Sequence, residues 1–227
     1  MSNQATEADI RRSIVEVNAE LERLGMNVCA TGNISVRCRD GMLITPAGSR
    51  TETLAPDHIV FTKFDGTWEG PLRPSSEWAM HREVYVKVPA ANAVVHCHAD
   101  HCVALSCFRK PIPAFHYMIQ GFGGTDIPCV DYFPFGSQDL ASAAGEALTE
   151  RTACLLSNHG MLARGATLLG AFDAALKLET LARQYLMTLT IGAPTILTEA
   201  DMAIVKENYK VYGKPQPTAQ QPRWLVP

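Results

Sequence analysis

Ala91-Asn92-Ala93-Val94-Val95-His96-Cys97-His98 runs from a turn through an apolar stretch onto two histidines one residue apart. An apolar run of this length reads as a strand, and on a strand the side chains at i and i+2 share a face. His96 and His98 therefore point the same way, at a separation one metal ion can bridge. Imidazole suits zinc, and a strand holds both rings in place. Two ordinary polar residues on a half-exposed strand face would give the same pattern, so the pair needs partners.

Leu155-Leu156-Ser157-Asn158-His159-Gly160 supplies one. An apolar strand running into Asn-His-Gly leaves His159 at a strand terminus, where functional residues often sit. On its own segment it reads first as a turn histidine. His101 is another nominal ligand, but it falls past the strand end and is placed behind the metal ligands. His81 and His116 read as structural histidines satisfied by partners, and His58 as a surface residue. Three neutral histidines on zinc leave an open coordination position, which polarises a carbonyl or stabilises an enediolate. Such chemistry needs a proton-transfer group, and Glu77 is the candidate. It follows Pro74-Ser75-Ser76 at a helix start, where an acid also serves as plain dipole compensation. The same serines at a helix N-terminus suit a phosphate. The Gly turns Thr31-Gly32-Asn33 and Thr45-Pro46-Ala47-Gly48 can add donors, though neither offers a Lys or Arg.

Outward from these segments the elements intermix. A first helix carries Ile10, Ile14, Val17, Leu21 and Leu24 at helical spacing, with Thr6 as N-cap, Asp9 three residues on, and Gly25 as its stop. Strands are expected at 33–37 and 42–45 around an Asp40-Gly41 hairpin, and at 58–63, 93–98, 113–119, 127–130 and 153–158. Helices are expected at 77–88, 99–107, 137–150, 168–190 (capped by Thr167) and 201–209. This is one α/β domain over 1–213 with a mixed, largely antiparallel sheet, followed by a Pro- and Gln-rich tail, 214–227, expected to be mobile.

Composition narrows the classes. The chain has 227 residues, 47% hydrophobic and 19% charged, which excludes a disordered or low-complexity protein. Its net charge of −3 provides no basic field for nucleic acid. No apolar run approaches the ~18 residues of a membrane span. The N-terminus lacks a signal-peptide core, so a cytoplasmic protein is expected. Seven cysteines form no CxxC pair and read as small buried hydrophobes. No GxGxxG or Walker A segment marks a nucleotide site.

Side by side, these segments resemble the class II aldolase family, that of L-fuculose-1-phosphate aldolase and its relatives. The matching pieces are Thr31–Arg37, Asp40–Pro46, Pro74–Trp78, Ala91–His98, Ile112–Ile119, Tyr132–Gly136 and His159-Gly160, in family order and spacing. The resemblance implies a three-layer α/β/α domain and a cytoplasmic homotetramer with active sites at subunit interfaces. It implies one Zn2+ (or another divalent metal) per subunit on His96, His98 and His159. Glu77 would join them at rest and act as acid/base once substrate displaces it. Gly32, Asn33, Gly48, Ser75 and Ser76 would hold the phosphate. Tyr117, from the neighbouring subunit, would protonate the aldehyde oxygen, and Phe135 and Tyr212 would shape the aldehyde pocket. The implied reaction is reversible cleavage of a ketose 1-phosphate to dihydroxyacetone phosphate and a small aldehyde such as L-lactaldehyde. A 5-deoxy- or 5-methylthio-ribulose 1-phosphate aldolase uses the same chemistry. Epimerase, dehydratase and decarboxylase relatives share the fold, although the epimerases carry Asp where Glu77 stands. A non-catalytic metal-binding scaffold is the alternative outside enzymes, and it would need no Glu77. One departure stands in the phosphate turn, where Ala47 replaces the Thr of the fuculose-phosphate enzymes.

Overall fold

Every residue of Ala93–Cys97 is buried, as a strand covered on both faces should be. The computed structural model describes residues 6–212, so the tail at 214–227 lies outside the described residues. In chain order the elements are α1 (Glu7–Arg23), β1 (Asn33–Cys38), β2 (Gly41–Ile44), β3 (Val60–Lys63), α2 (Trp78–Lys87), β4 (Ala93–Cys97) and α3 (Asp100–Ser106). Then come β5 (Ile112–Pro113), β6 (Asp126–Ile127), β7 (Cys129–Val130), α4 (Gln138–Ala147), β8 (Ala153–Leu156), β9 (Gly160–Gly165), α5 (Leu168–Ile191) and α6 (Glu199–Val211).

The main sheet has the order β3-β2-β1-β4-β9-β8-β7. All its pairings are antiparallel except β7 with β8. Alternation along β4 divides its side chains between two apolar layers. Val95 and Cys97 join Ile14 and Leu21 of α1, Leu105 of α3, and Leu178 and Leu181 of α5. Val94 joins Met80 and Val84 of α2 and Leu140 and Ala144 of α4 on the other side. Helices thus cover both faces, giving the α/β/α layering expected. Each fully buried Leu, Ile or Val contributes about 1.5–3 kcal/mol.

Several boundaries differ from expectation for local reasons. The strand β9, which fills the centre of the sheet between β4 and β8, is not among the expected elements. Of the run 113–119 only Pro113 lies in a strand, as the end of β5. Tyr117–Phe122 forms a 3-10 turn, with the His116 ring accepting from the Met118 N–H and Gly123 closing it at φ 97°. The run 127–130 is split at Pro128, which has no N–H for a ladder, so its halves belong to different sheets. The first hairpin turns on Arg39-Asp40, because Gly41 already pairs with Cys38. Gly41 serves a close approach instead: a Cβ there would lie 2.2 Å from the Thr62 carbonyl oxygen of β3. Of the cysteines, Cys29 and Cys107 are exposed, and only Cys97, Cys102 and Cys154 are buried, so the buried-hydrophobe reading holds for part of the set.

The end of β9 is crowded by the start of α5. A Cβ on Gly165 would lie 2.4 Å from the Ala171 nitrogen and 2.8 Å from the Thr167 oxygen, both backbone atoms. Gly165→Ala should destabilise the fold by about 1–3 kcal/mol through overpacking, read as a lower urea midpoint. An unchanged midpoint would show that the α5 N-terminus can yield.

Candidate active site

His96 faces the α2 layer, as Val94 does, and its partners across the sheet are Asn33 on β1 and Leu162 on β9. Its Nδ1 lies 2.8 Å from the Met161 carbonyl oxygen. A carbonyl only accepts, so Nδ1 carries the hydrogen and the neutral ring presents a lone pair at Nε2. His98 follows one residue past the strand end, with its Nε2 3.1 Å from that of His96. His159 arrives from the tight turn joining β8 to β9, which Asn158 permits by adopting φ 53°. The three rings meet edge to face, with centroids 4.8–5.0 Å apart. Their ligand atoms all lie within 4.8 Å of one another. Gly160 makes room for the cluster, since a Cβ there would sit 2.6 Å from the Cys97 carbonyl oxygen and 3.1 Å from the His98 ring.

Glu77 completes the group. It occupies the N-cap position of α2, yet its side chain caps nothing. The expected serine N-cap is thereby displaced: Ser75 Oγ accepts the Glu77 N–H, and the helix begins at Trp78. The Glu77 carboxylate turns toward the rings instead, with Oε2 3.2 Å from His96 Nε2 and Oε1 3.4 Å from His159 Nε2. Asn33 Nδ2 donates to Oε2 at 3.0 Å, while Oε1 is buried with no hydrogen-bond partner among the described residues. Acceptor atoms of the neutral His96 ring and the carboxylate thus converge on one point. Positive charge there, a proton on His96 or a metal cation, resolves that contact, and three imidazoles with one carboxylate are a donor set suited to zinc. The residues therefore fit a divalent metal.

Electrostatics agree. Burial alone would raise the Glu77 pKa, but His96, His159 and the Asn33 amide hold it well below the usual carboxylate range. Burial would lower His96, but Glu77 and the Met161 carbonyl overcome this and raise it. His98 and His159 are pushed down to about 4, by burial first and then by a charge on His96. The site favours one positive charge at the meeting point and neutral rings around it.

A cavity of about 370 Å³ opens beside the cluster. Gly32, Asn33, Gly48, Ser75 and Ser76 all line it, together with Glu77, His98, His159 and Phe135, while His96 is fully buried. Among the described residues the N–H groups of Gly32, Gly48 and Ser76 donate to no protein acceptor. Gly32 and Gly48 have φ 79° and 67°, which glycine adopts without strain. The Ala47 N–H is bonded to the Arg73 carbonyl at 3.0 Å, so this residue offers neither a hydroxyl nor a free backbone donor. Among the described residues no Lys or Arg lines the cavity.

Tyr117 and Tyr212 are placed elsewhere. Within one protomer both line a separate cavity of about 350 Å³, with Lys177 and Tyr209. His101 also stands apart from the cluster, paired through Nδ1 with Glu179 at 2.6 Å. Glu179 further accepts the backbone N–H groups of His101 and Cys102, capping α3 from α5. His81 and His116 have protein partners, and His58 is partly exposed at the end of its own short turn. Tyr132, Phe133 and Asn158 also line the cavity beside the cluster; the sequence reading quoted their segments but gave these residues no site role. Arg109 donates to Asn158 Oδ1 at 2.8 Å and steadies the turn that carries His159. An Asn directly before the proposed ligand was the available signal.

Comparison with known proteins follows the same lines. A relative from Escherichia coli O6:H1, named L-fuculose phosphate aldolase, is 46% identical over 205 residues, covering 90% of this chain and 95% of its own. A relative from Rhodospirillum rubrum, named 5-methylthioribulose-1-phosphate/5-deoxyribulose-1-phosphate aldolase, is 43% identical over 204 residues, covering 90% and 92%. A solved structure titled L-fuculose 1-phosphate aldolase superposes with a TM-score of 0.86 at 33% identity, over 92% of this chain and all of that one. Residues 12–186 match the family described as Class II Aldolase and Adducin N-terminal domain, and the chain belongs to that family.

Proposed function

We propose that the protein is a metal-dependent aldolase that reversibly cleaves a ketose 1-phosphate to dihydroxyacetone phosphate and a small aldehyde. The observation that carries this reading is the buried, partnerless Glu77 Oε1 facing three convergent imidazoles beside a donor-lined cavity. A metal-binding scaffold has no need of the donor-lined cavity beside the cluster, which disfavours that reading. His96, His98 and His159 would hold Zn2+, with Glu77 as the fourth ligand at rest. When bound, zinc supplies a Lewis acid that polarises the substrate carbonyl.

The chain's own groups do the rest. Gly32, Gly48 and Ser76 offer free N–H groups to the phosphate, Ser75 and Ser76 add hydroxyls, and Asn33 lies between them and Glu77. The N-terminus of α2 adds its dipole. In the condensation direction Glu77 takes a proton from the hydroxymethyl carbon of dihydroxyacetone phosphate. Tyr117 then gives a proton to the aldehyde oxygen as the carbon–carbon bond forms. Cleavage runs the same transfers in reverse. Tyr117 and Tyr212 are exposed and lie apart from the cluster within a protomer, which supports their being offered to a neighbour's site. The reading therefore includes a cytoplasmic homotetramer, with one catalytic domain over 1–213. Phe135, exposed at the cavity, would face the aldehyde with the neighbour's Tyr212.

Two relatives of similar identity carry names with different aldehyde tails, so L-fuculose 1-phosphate and 5-deoxy- or 5-methylthio-ribulose 1-phosphate are both candidate substrates. A panel of ketose 1-phosphates differing beyond C4, assayed with and without chelator, tests the reading. Release of dihydroxyacetone phosphate that stops on chelation is expected, and no release from any member would overturn it.

Glu77→Gln should retain zinc on the three histidines and lower turnover about 10²- to 10⁴-fold, the range of a lost acid/base. Wild-type turnover in a zinc-loaded variant would remove Glu77 from the mechanism.

Acid should unload the site and weaken the fold together. The folded-state pKa values of His98 and His159 lie below that of the free side chain, 6.5. As pH falls from about 6.5 toward 4, the unfolded chain takes up protons that the folded chain refuses. Stability is therefore lost over this window, and histidine protonation also competes with metal. The raised pKa of His96 contributes stability below 6.5 that is lost as pH rises, and does not offset this loss. Urea midpoints of chelator-treated protein should fall steadily between pH 6.5 and 4, and a flat profile would contradict the assignment.

A further inference from the structure

We infer that His81 is a positioning residue for this reaction, holding the Asn33 amide by a one-way chain of hydrogen bonds that ends on Glu77. The chain runs from Tyr85 OH to Ser35 Oγ at 2.7 Å, and from Ser35 Oγ to His81 Nδ1 at 2.7 Å. It continues from His81 Nε2 to Asn33 Oδ1 at 2.5 Å and from Asn33 Nδ2 to Glu77 Oε2 at 3.0 Å. All five side chains are buried, and Ser35 and His81 have no exposed surface.

The carboxylate fixes the direction of every bond. Glu77 Oε2 can only accept, so the Asn33 NH₂ faces it and the Asn33 carbonyl faces His81. His81 Nε2 must therefore carry a hydrogen. Burial keeps the ring neutral, with its pKa lowered to about 3, so Nδ1 is an acceptor. Ser35 then donates to Nδ1 and receives the hydroxyl hydrogen of Tyr85. Burial also raises the Tyr85 pKa and keeps that hydrogen in place. Reversing Asn33 would set its carbonyl against a carboxylate and its NH₂ against the His81 N–H, two repulsive contacts at once. A satisfied buried network of this kind is rigid, because each member polarises the next.

Asn33 has two roles to reconcile. It lines the phosphate cavity and also donates to the acid/base, so its orientation links the two ends of the substrate. His81 does not line the cavity, and its hydrogen bonds go to Ser35 and Asn33, so its hydrogen-bond route to Glu77 passes through Asn33. The spacing of His81 four residues after Glu77 puts both at the start of α2, one turn apart, with β1 lying against both.

The inference about catalysis rests on the aldolase reading, so the test includes one measurement independent of it. In protein labelled with ¹⁵N-histidine, His81 should appear as the neutral Nε2–H tautomer at neutral pH. The Nδ1–H tautomer would overturn the chain whatever the protein catalyses. With the ketose 1-phosphate that the wild type cleaves, zinc-loaded His81→Leu should lose about 10- to 100-fold in kcat, with KM changed by less. His81→Gln, whose amide can place an N–H near the former Nε2, should recover most of that loss, and both variants should retain zinc. Equal impairment of the two variants would reduce His81 to packing, and wild-type kcat in His81→Leu would remove its role. If the leucine variant does not fold, the tautomer and the near-normal kcat expected of His81→Gln decide the matter. Failure of the wild type to cleave any ketose 1-phosphate would instead defeat the aldolase reading and leave the tautomer result intact.

Discussion

Five atoms meet near one point: Nε2 of His96, His98 and His159, and both carboxylate oxygens of Glu77. Neighbours in this set lie 3.1–3.4 Å apart, and the neutral His96 ring spends its one hydrogen on the Met161 carbonyl. Such a contact is unfavourable in a buried site unless a positive charge enters it. Much of the central sheet can be understood as serving this constraint. The β1–β4 register sets Asn33 across from His96, and the β4–β9 register sets Leu162 on its other side. The β8–β9 turn brings His159 back over His98, and Gly160 supplies the clearance.

The cavity beside this centre obeys a charge argument of its own. A divalent cation on three neutral rings and one carboxylate leaves a single net positive charge, and a phosphate brings about two negatives. A lysine or arginine in the cavity would balance them, but it would also pair with Glu77 and compete with the cation. Among the described residues none lines it, and on the proposed reading the anion would be left to free N–H groups, two hydroxyls and the start of α2. Ala47 fits that pattern only weakly. Its N–H is committed to Arg73, so the turn depends on Gly48 for its free donor. The missing hydroxyl at position 47 therefore removes a donor that the neighbouring backbone does not replace.

What could be read from the sequence was periodic or local. Two histidines at strand spacing, a capping box from Thr6 to Asp9, and a long helix begun by Thr167 each lie within a few residues and have a fixed geometric meaning. Strand β9 escaped because Gly160 and Gly165 bracket a short apolar run that imitates a loop between a motif and a helix. Its strand character comes from being clasped between β4 and β8, which is tertiary information. The extended reading of 113–119 failed because His116 binds the Met118 N–H and bends the chain. The placement of Glu77 was legible as a residue but not as a geometry: its carboxylate ignores the helix it starts. The bonds that aim it come from Asn33, forty-four residues earlier, and no local pattern encodes them.

The division between buried chemistry and exposed periphery bears on specificity. Glu77, Asn33 and His96 are locked between the sheet and α2, where a change of volume or hydrogen bonding disturbs the core as well as the site. Phe135 and Tyr212, the side chains proposed to face the aldehyde, are among the most exposed aromatics of the described residues. Substitution there meets little packing resistance. An arrangement of this kind lets one carbon–carbon bond chemistry persist while the aldehyde tail changes. Two relatives, of 46% and 43% identity, carry names that agree on an aldolase reaction and differ on the sugar. Overall identity weights the core and the rim alike, so it cannot rank the two substrates for this chain. On the proposed reading, the ranking would rest with the few exposed residues around Phe135 and with what a neighbouring protomer would bring to them.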